Sequence, residues 1–179
     1  FENISNLMTT DFNVIVDNFV DMLSHARTEM EIIRELADDE AAYRSLMLSW
    51  FEHSSLFDII KYLGSKDVTV LITTDHGSVK VTDPVKIVGD KNVNTNLRYK
   101  YGKSLNYKAK DVFEITDPEK YHLPKLNIST RWVFSRGSDF FAYPNNFNYY
   151  ANYYKNTFQH GGLSMEEILI PIITLTSKE

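Results

Sequence analysis

The clearest pattern of apolar and polar positions lies between Asp11 and Arg27, where apolar side chains recur every three or four residues. These apolar positions are Phe12, Ile15, Val16, Phe19, Val20 and Leu23. The spacing predicts an amphipathic helix with Asp11 as its N-cap. Asp17, Asp21 and His25 follow at four-residue steps and form a second stripe on one face of that helix.

Two further helices are indicated by capping residues. The acidic triplet Asp38-Asp39-Glu40 favours a helix N-terminus, because negative charge is stabilised there, and residues 41–51 continue the helical pattern. Ser54 or Ser55 is a good start for another helix, which would end at Gly64. The first half of the chain is therefore predicted to be mostly helical.

Two apolar runs predict buried strands. Residues 68–73 are β-branched and almost continuously apolar, which is typical of a strand covered on both faces in a parallel sheet. Residues 168–176 form a second run of this kind. Short strands are also expected at 78–81 and 85–88, on either side of a turn at Asp83-Pro84.

This order of elements predicts an α/β fold, in which helices flank a mostly parallel sheet. Residues 92–158 differ from the rest, being rich in Tyr, Phe, Asn and Lys and interrupted by prolines, and we interpret them as an irregular, aromatic-rich insertion. The chain opens on Phe1-Glu2-Asn3 without an initiator Met or a signal-peptide pattern. We therefore expect residues 1–179 to be the C-terminal piece of a longer protein.

Composition narrows the class of protein. The chain has 179 residues, of which 43% are hydrophobic and 24% charged, and this is a globular composition. It contains no cysteine, which excludes disulfides and thiolate metal sites and is compatible with a cytoplasmic location. Its longest apolar stretch is too short to span a bilayer, so no membrane insertion is expected.

The net charge of -5 argues against a protein that coats duplex nucleic acid, yet the charge is unevenly distributed. Residues 98–136 hold nine Lys and Arg against four acidic residues. Such a region can attract a phosphate-bearing ligand, although a solvated surface has the same composition. The candidates for phosphate contact are Arg98, Lys103, Arg131 and Arg136, of which Arg98 is the preferred substrate-binding residue. Aromatic side chains around them could stack on bases or form a small core.

Three short segments offer carboxylate and imidazole side chains that could bind metal. They are Asp21-Met-Leu-Ser-His25 on the first helix, Asp75-His76-Gly77 after a strand, and His160-Gly161-Gly162 on a loop. Zinc accepts these ligands in catalytic sites, and two such ions can clamp the attacking and leaving oxygens of a phosphate displacement. Each segment alone also has an ordinary interpretation, as a surface Asp–His pair, an Asx turn or a simple turn. Taken together and in this order, they indicate metal binding.

The same segments, with their neighbours, resemble the metal-binding half of the alkaline phosphatase superfamily, and in particular its PglZ-type branch. The resemblance rests on Thr73-Thr74-Asp75-His76-Gly77, on Asn96-Leu97-Arg98-Tyr99 and on the segment from Gln159 to Pro171. It implies that Asp21, His25 and His160 hold one zinc ion and that Asp75 and His76 hold a second.

The resemblance extends to the output part of two-component response regulators of the type IX secretion system of Bacteroidetes. It implies a zinc-dependent phosphodiesterase that acts on nucleotide or oligonucleotide phosphodiesters, a secretion-system or sigma-factor partner, and homodimerisation of the parent protein. In the family, the Thr nucleophile and one Asp ligand lie on the N-terminal side of the segments present here. We therefore expect the piece to be inactive alone, with neither Thr73 nor Thr74 as nucleophile. Two alternatives stay open, namely another hydrolase or mutase of the superfamily and a non-catalytic, metal-stabilised interaction module.

Overall fold

The computed structural model describes residue 4, residues 8–89 and residues 93–177, and divides the chain into two compact units. The first unit consists of Phe1–Thr73 with Pro171–Glu179, and the second of Thr74–Ile170. The predicted start of the insertion at Asn92 lies outside the described residues. Within those residues, no helix has the length and apolar composition needed to cross a membrane.

The described part of the first unit contains four helices and one pair of strands. The helices are α1 (Phe19–Glu29), α2 (Glu31–Leu36), α3 (Glu40–Glu52) and α4 (Ser55–Leu63). The capping predictions for α3 and α4 are confirmed, since the Asp39 carboxylate accepts the Ala42 N–H at 2.8 Å and the Ser54 hydroxyl accepts the Phe57 N–H at 3.2 Å. Both bonds satisfy amide groups that have no partner within the helix.

The first helix is shorter than the sequence predicts, because it begins at Phe19 and not after Asp11. The Asp17 carboxylate accepts the Phe19 N–H at 2.9 Å, immediately before the helix starts. Phe12 and Val16 are 82% and 77% exposed. A helix in a protein is stabilised mainly by packing its apolar face, and these side chains pack too little to extend α1 toward the N-terminus.

The strands of the first unit are β1 (Thr69–Thr73) and β9 (Ile172–Thr176), and they pair antiparallel from Thr69 opposite Thr176 to Thr73 opposite Ile172. The prediction of strands here is confirmed, but the prediction that they are buried on both faces is wrong. Leu71 is 61% exposed and Ile172 is 69% exposed. Apolar composition alone identifies a strand without determining what covers it.

The second unit contains seven strands and two α-helices in its described part. They are β2 (Val79–Lys80), β3 (Asp83–Lys86), β4 (Tyr99–Gly102), β5 (Val112–Ile115), β6 (Arg131–Ser135), β7 (Asp139–Ala142), β8 (Phe158–Gln159), α5 (Phe147–Tyr154) and α6 (Met165–Ile168). The order β4-β6-β5 forms an antiparallel sheet, β2 pairs antiparallel with β8, and β3 pairs parallel with β7.

Helices and small sheets in both units fit the predicted α/β class, whereas the prediction of a mostly parallel sheet is not confirmed. Among the described residues, β3 and β7 are the only parallel pair, and the sheets are otherwise antiparallel. An apolar run has the same appearance in either kind of sheet, because strand direction depends on which distant segment becomes its neighbour.

Two local predictions in this unit are wrong. Asp83 and Pro84 form the start of β3 and not a turn, and Pro84 is tolerated there because β3 lies at the edge of a two-stranded sheet. The last strand begins at Ile172 and not at Ile168, because Ile168 is the last residue of α6. Ser164 precedes α6, and the Glu167 carboxylate accepts the Ser164 N–H at 3.1 Å, which is the return bond of a capping box.

The core of the second unit is built from three clusters. The buried residues of the first are Ile87, Val112, Val133 and Phe141, those of the second Val81, Phe140 and Ala142, and those of the third Ile115, Trp132 and Phe134. The buried aromatic side chains between 92 and 158 therefore form a core, which is one of the two roles that the sequence left open for them.

Candidate metal centre

The first unit brings Asp21 and His25 together on α1, as their spacing predicts. Oδ2 of Asp21 lies 3.6 Å from Nε2 of His25, and the side chains are 49% and 63% exposed. This separation is longer than a hydrogen bond. It is close to the roughly 3.3 Å between two ligand atoms of a tetrahedral zinc ion with bonds of about 2.0–2.1 Å.

The second unit has a similar pair in Asp75 and His76, which follow β1 along the chain. Oδ1 of Asp75 lies 3.7 Å from Nε2 of His76, and the Asp75 side chain is 86% exposed. The same carboxylate oxygen accepts the His76 N–H at 3.1 Å. A carboxylate oxygen has several lone pairs, so this bond leaves Asp75 able to bind a cation as well.

The orientation of His76 is determined by its own loop. Nδ1 of His76 lies 2.9 Å from the carbonyl oxygen of Gly77. Because a carbonyl oxygen only accepts hydrogen bonds, this contact assigns the hydrogen to Nδ1. In the neutral ring Nε2 then carries the lone pair, and a metal-binding histidine needs its free nitrogen in this state.

His76 and His160 stack on each other within the second unit. Their ring centroids are 3.9 Å apart and their planes differ by 9°. The cause is the antiparallel pairing of β2 with β8, in which Val79 lies opposite Gln159. His76 comes just before β2 and His160 just after β8, so this pairing brings the two loops side by side.

The glycines of these motifs are required by close packing. At Gly77, a Cβ atom would overlap the backbone carbonyl of Glu166. Gly161 has a φ of +101°, and a Cβ atom there would lie 2.9 Å from Nδ2 of Asn96. A side chain at Gly77 would require the backbone of Gly77 or Glu166 to move, and one at Gly161 would strain the backbone and crowd Asn96.

Arg98 occupies a different environment from the one that the prediction of substrate binding requires. Its side chain is fully buried, and its Nε and one terminal nitrogen donate to the Glu167 carboxylate at 2.9 and 2.8 Å. It also donates to the backbone carbonyls of Gly137 and Asp139. These partners give Arg98 a structural position and not the solvent-facing one needed to contact a phosphate.

The other candidate cations are distributed over the second unit. Arg131 donates to the Glu114 carboxylate at 2.8 Å, and Arg136 donates through Nε to the carbonyl of Val112 at 2.9 Å. Lys103 lines an open, polar cleft of about 600 Å³ together with Arg131. Of the predicted phosphate contacts, these two residues are the ones that share a cleft.

Glu167 is a central residue that the sequence analysis did not identify. Burial alone would raise the pKa of its carboxyl group, but the hydrogen bond and charge of Arg98, together with the hydrogen bonds from Gly162 and Ser164, leave that pKa below its usual value. The pattern Ser164-x-x-Glu167 is a capping-box signature and could have indicated the local role of Glu167. Its pairing with Arg98, 69 residues away, has no local signal.

The ligand motifs resemble those of an alkaline-phosphatase-like domain, and comparison with known families identifies the chain as a member of that class. Residues 3–175 match the family described as the BREX system PglZ alkaline phosphatase-like domain. The chain therefore belongs to the PglZ family, as the sequence resemblance implied, and is a domain of the hydrolase-type phosphoesterase class. A comparison with curated proteins found no match. Alkaline-phosphatase-like domains commonly use metal ions, which is consistent with the carboxylate and imidazole side chains described above.

Proposed function

We propose that this chain is the metal-binding part of a zinc-dependent phosphodiesterase domain. In this proposal Asp21, His25 and His160 hold one ion, and Asp75 and His76 hold the second. The observation that carries the proposal is the spacing within the two Asp–His pairs, 3.6 Å and 3.7 Å, each close to that of two ligands on one zinc ion.

The stacked histidines support a site with two ions. In two-metal phosphoesterases the ions are about 3.5–4 Å apart, so ligands of neighbouring ions are also close neighbours. His76 and His160 are assigned to different ions, and their ring centroids are 3.9 Å apart. Their contact is therefore compatible with that assignment.

The side chains act in this proposal as ligands and not as general bases. Bound zinc would supply Lewis-acid stabilisation of the phosphate oxygens and lower the pKa of a bound hydroxyl or water. His76 holds its hydrogen at Nδ1 through the Gly77 carbonyl and keeps Nε2 available. The exposed Asp75 carboxylate adds negative charge beside it, which favours binding of a divalent cation.

The substrate and the parent protein are proposed from the sequence resemblance alone. We propose a nucleotide or oligonucleotide phosphodiester as substrate and a cytoplasmic parent similar to PorX, the response regulator of type IX secretion. Such a parent would form a homodimer and act on a secretion-system or sigma-factor partner. Lys103 and Arg131 are better placed than Arg98 to contact the phosphates of this substrate, because both line a cleft.

A second candidate function is a non-catalytic module in which metal stabilises a surface for a protein partner. The hydroxyl groups near the Asp75-His76 pair favour it, since each donates to a backbone carbonyl, and the contact of the Thr74 hydroxyl with Oδ1 of Asp75 is long, at 3.5 Å. The Thr73 hydroxyl donates to the carbonyl of Pro171 at 2.9 Å, and the Thr74 hydroxyl donates to the carbonyl of His76 at 3.0 Å. A nucleophilic hydroxyl instead needs a base or a metal that accepts its proton.

The test is a metal determination on the purified chain, followed by an activity assay on the parent protein. Because this chain offers three ligands for the first ion and two for the second, we expect about one equivalent of zinc per chain, bound at the first site. It should be lost in Asp21→Ala and His160→Ala and retained in His122→Ala, which changes an exposed histidine outside the motifs. The parent should hydrolyse a phosphodiester only with zinc and lose this activity in His76→Ala. A metal-free chain would refute the zinc assignment, and full activity of His76→Ala would refute the role proposed for His76. A zinc-loaded parent without phosphodiesterase activity would favour the non-catalytic module.

A further inference from the structure

We infer that the buried ion pair of Arg98 and Glu167 is the positioning element that holds His76 and His160 in their stacked arrangement. The inference rests on the proposed function for its consequence in metal binding, but the stacking itself is independent of any ion. Both residues of the pair have almost no exposed side-chain surface. They act through the backbone of the two histidine loops.

The His160 loop is attached to the pair through Glu167. Oε1 of Glu167 accepts the Gly162 N–H at 2.8 Å, two residues after His160, and Oε2 accepts the Ser164 N–H at 3.1 Å. A carboxylate that accepts backbone N–H groups while it pairs with a guanidinium forms short, directional, charge-assisted bonds. The loop after His160 is therefore held by the same carboxylate that Arg98 orients.

A second connection reaches the His160 loop through Asn96. Its Nδ2 group donates to the His160 carbonyl at 3.2 Å, and its Oδ1 accepts the backbone N–H of Arg98 at 2.7 Å and of Tyr99 at 3.1 Å. The segment at Arg98 is thus bonded to the carbonyl of His160 itself, in addition to the bonds that Glu167 makes to Gly162 and Ser164. Two attachments restrict the loop more than one would, because it can no longer rotate about a single bond.

The His76 loop is attached to the same element through the backbone of Glu167. The Gly77 N–H donates to the Glu167 carbonyl at 2.8 Å, directly after His76. The close approach of Gly77 to Glu166 brings the two backbones into contact. Glu167 therefore contacts one histidine loop with its side chain and the other with its main chain.

The pair is anchored in turn to the sheets of the second unit. Arg98 precedes β4 and donates to the carbonyl of Gly137, in the connection between β6 and β7, and to that of Asp139, the first residue of β7. The bond to Asp139 uses Nη1, and the bond to Gly137 comes from Nη2, which also donates to Glu167. The Arg98–Glu167 pair thus connects the sheets of the second unit to the two histidine loops. Residues behind the metal ligands usually control ligand geometry through connections of this kind.

The test replaces both members of the pair by apolar residues of similar size, Arg98→Met with Glu167→Leu. Such replacements of a buried ion pair are often tolerated by the fold, whereas removal of one partner is not. The matched control is Lys125→Met with Glu119→Leu, which removes a more exposed ion pair of 2.6 Å in the same unit. All measurements begin with the metal-free protein.

The first measurement is the nuclear Overhauser effect between the ring protons of His76 and His160 in labelled, metal-free protein. We expect it in the wild type and in the control pair and expect its loss in the Arg98–Glu167 double variant, with the sheet resonances unchanged. Zinc affinity should fall roughly 10- to 100-fold in the same variant and stay at the wild-type level in the control. A purely structural role would lower stability without changing the ring contact in the folded protein.

A folded double variant that retains both the ring contact and wild-type zinc affinity would overturn the inference. If the double variant does not fold, Asn96→Ala replaces it, because this change removes only the Asn96 attachments. It should weaken the ring contact, and an unchanged contact would contradict the inference. If the wild type binds no zinc, the proposed function fails, while the ring contact still decides whether Arg98 and Glu167 position the histidines.

Discussion

The imidazole rings of His76 and His160 stack nearly parallel, with their centroids 3.9 Å apart. The two residues are far apart along the chain and adjacent in space because β2 and β8 pair immediately beside them. The contact unites two of the three motifs that the sequence indicates as metal ligands. It also makes the histidine loops sensitive to changes in the residues packed behind them.

The first prediction concerns stabilisation by zinc. A ligand that binds only the folded state stabilises it by about 2.7 kcal/mol at a free concentration 100 times its dissociation constant. Zinc should therefore raise the melting temperature of the wild type measured by calorimetry, and a chelator should reverse the increase. Asp21→Ala and His160→Ala should each reduce the increase, and His53→Ala should leave it unchanged because His53 is an exposed residue after α3. An equal increase in all four proteins would argue against Asp21 and His160 as ligands.

The second prediction concerns Gly77, where a Cβ atom would overlap the Glu166 backbone. Gly77→Ala should lower the free energy of unfolding by roughly 1–3 kcal/mol, as for other overpacked sites, and displace His76. Gly102→Ala is the matched control, because its new Cβ atom would meet only side-chain atoms at 3.5 Å or more. Urea unfolding of both variants measures the difference. Equal stability of the two variants would mean that the backbones of Gly77 and Glu166 are not in close contact.

The third prediction concerns acid stability through Glu167. Its pKa in the folded protein is lowered from the ordinary value of 4.5, because burial, which raises it, is outweighed by Arg98 together with the hydrogen bonds from Gly162 and Ser164. The unfolded chain then binds more protons in acid than the folded protein does. The contribution of ionised Glu167 to the free energy of unfolding is therefore complete above pH 4.5 and is lost as the pH falls through the lowered pKa. The control for the mutational test is Glu119, an exposed partner of Lys125.

Glu167→Gln should therefore lose roughly 3–5 kcal/mol of stability at neutral pH, as expected when one member of a buried pair is removed. Between pH 5 and pH 3, the free energy of unfolding of this variant should depend less on pH than that of the wild type. Urea titrations at each pH measure the difference. Glu119→Gln should follow the wild type, since exposed ion pairs contribute little. A Glu167→Gln curve parallel to that of the wild type would show that Glu167 does not titrate on unfolding.

The fourth prediction concerns Lys100, which is buried in the second unit with its ammonium group 2.6 Å from the carbonyl of Asn94 and over the ring of Tyr143. Burial lowers the pKa of Lys100 to about 8 from 10.5. The unfolded chain therefore binds more protons between these values, and the free energy of unfolding contributed by Lys100 rises with pH across this window. The complete rise corresponds to about 3 kcal/mol.

Urea unfolding at pH 8 and pH 10 measures this rise, and Lys100→Met should abolish most of it. Lys103→Met is the control and should retain it, because Lys103 is exposed. The comparison stops at pH 10 because burial raises the pKa of Tyr107 to about 12 from 10, which lowers stability above that pH. A rise that persists in Lys100→Met would assign it to another group.

Local signals in the sequence were sufficient for several elements of the fold. The boundaries of α3 and α4 follow from Asp39 and Ser54, because an N-cap acts on amide groups only two or three residues away. The i, i+4 spacing of Asp21 and His25 likewise fixed their proximity, since a helix brings such positions onto one face. These predictions depend on bonds between near neighbours, and they were confirmed.

Predictions that depended on distant partners were less successful. The predicted start of α1 is too early, because the apolar pattern near Phe12 indicates a helix only if another surface covers those side chains. The directions of the strands were also misjudged, since the same apolar run fits either direction. Arg98 was interpreted as a phosphate contact, because the sequence contains no sign of its partner Glu167.

The sequence by itself determined the helices with clear caps, the positions of β1 and β9, and the identity of the candidate ligands. Each of these depends on the chemistry of a residue and its immediate neighbours. Tertiary structure alone decided that His76 and His160 stack and that Arg98 is buried against Glu167. The physical reason is that strand pairing and burial depend on which remote segments meet, and burial turns a charged side chain from a possible ligand contact into part of the framework.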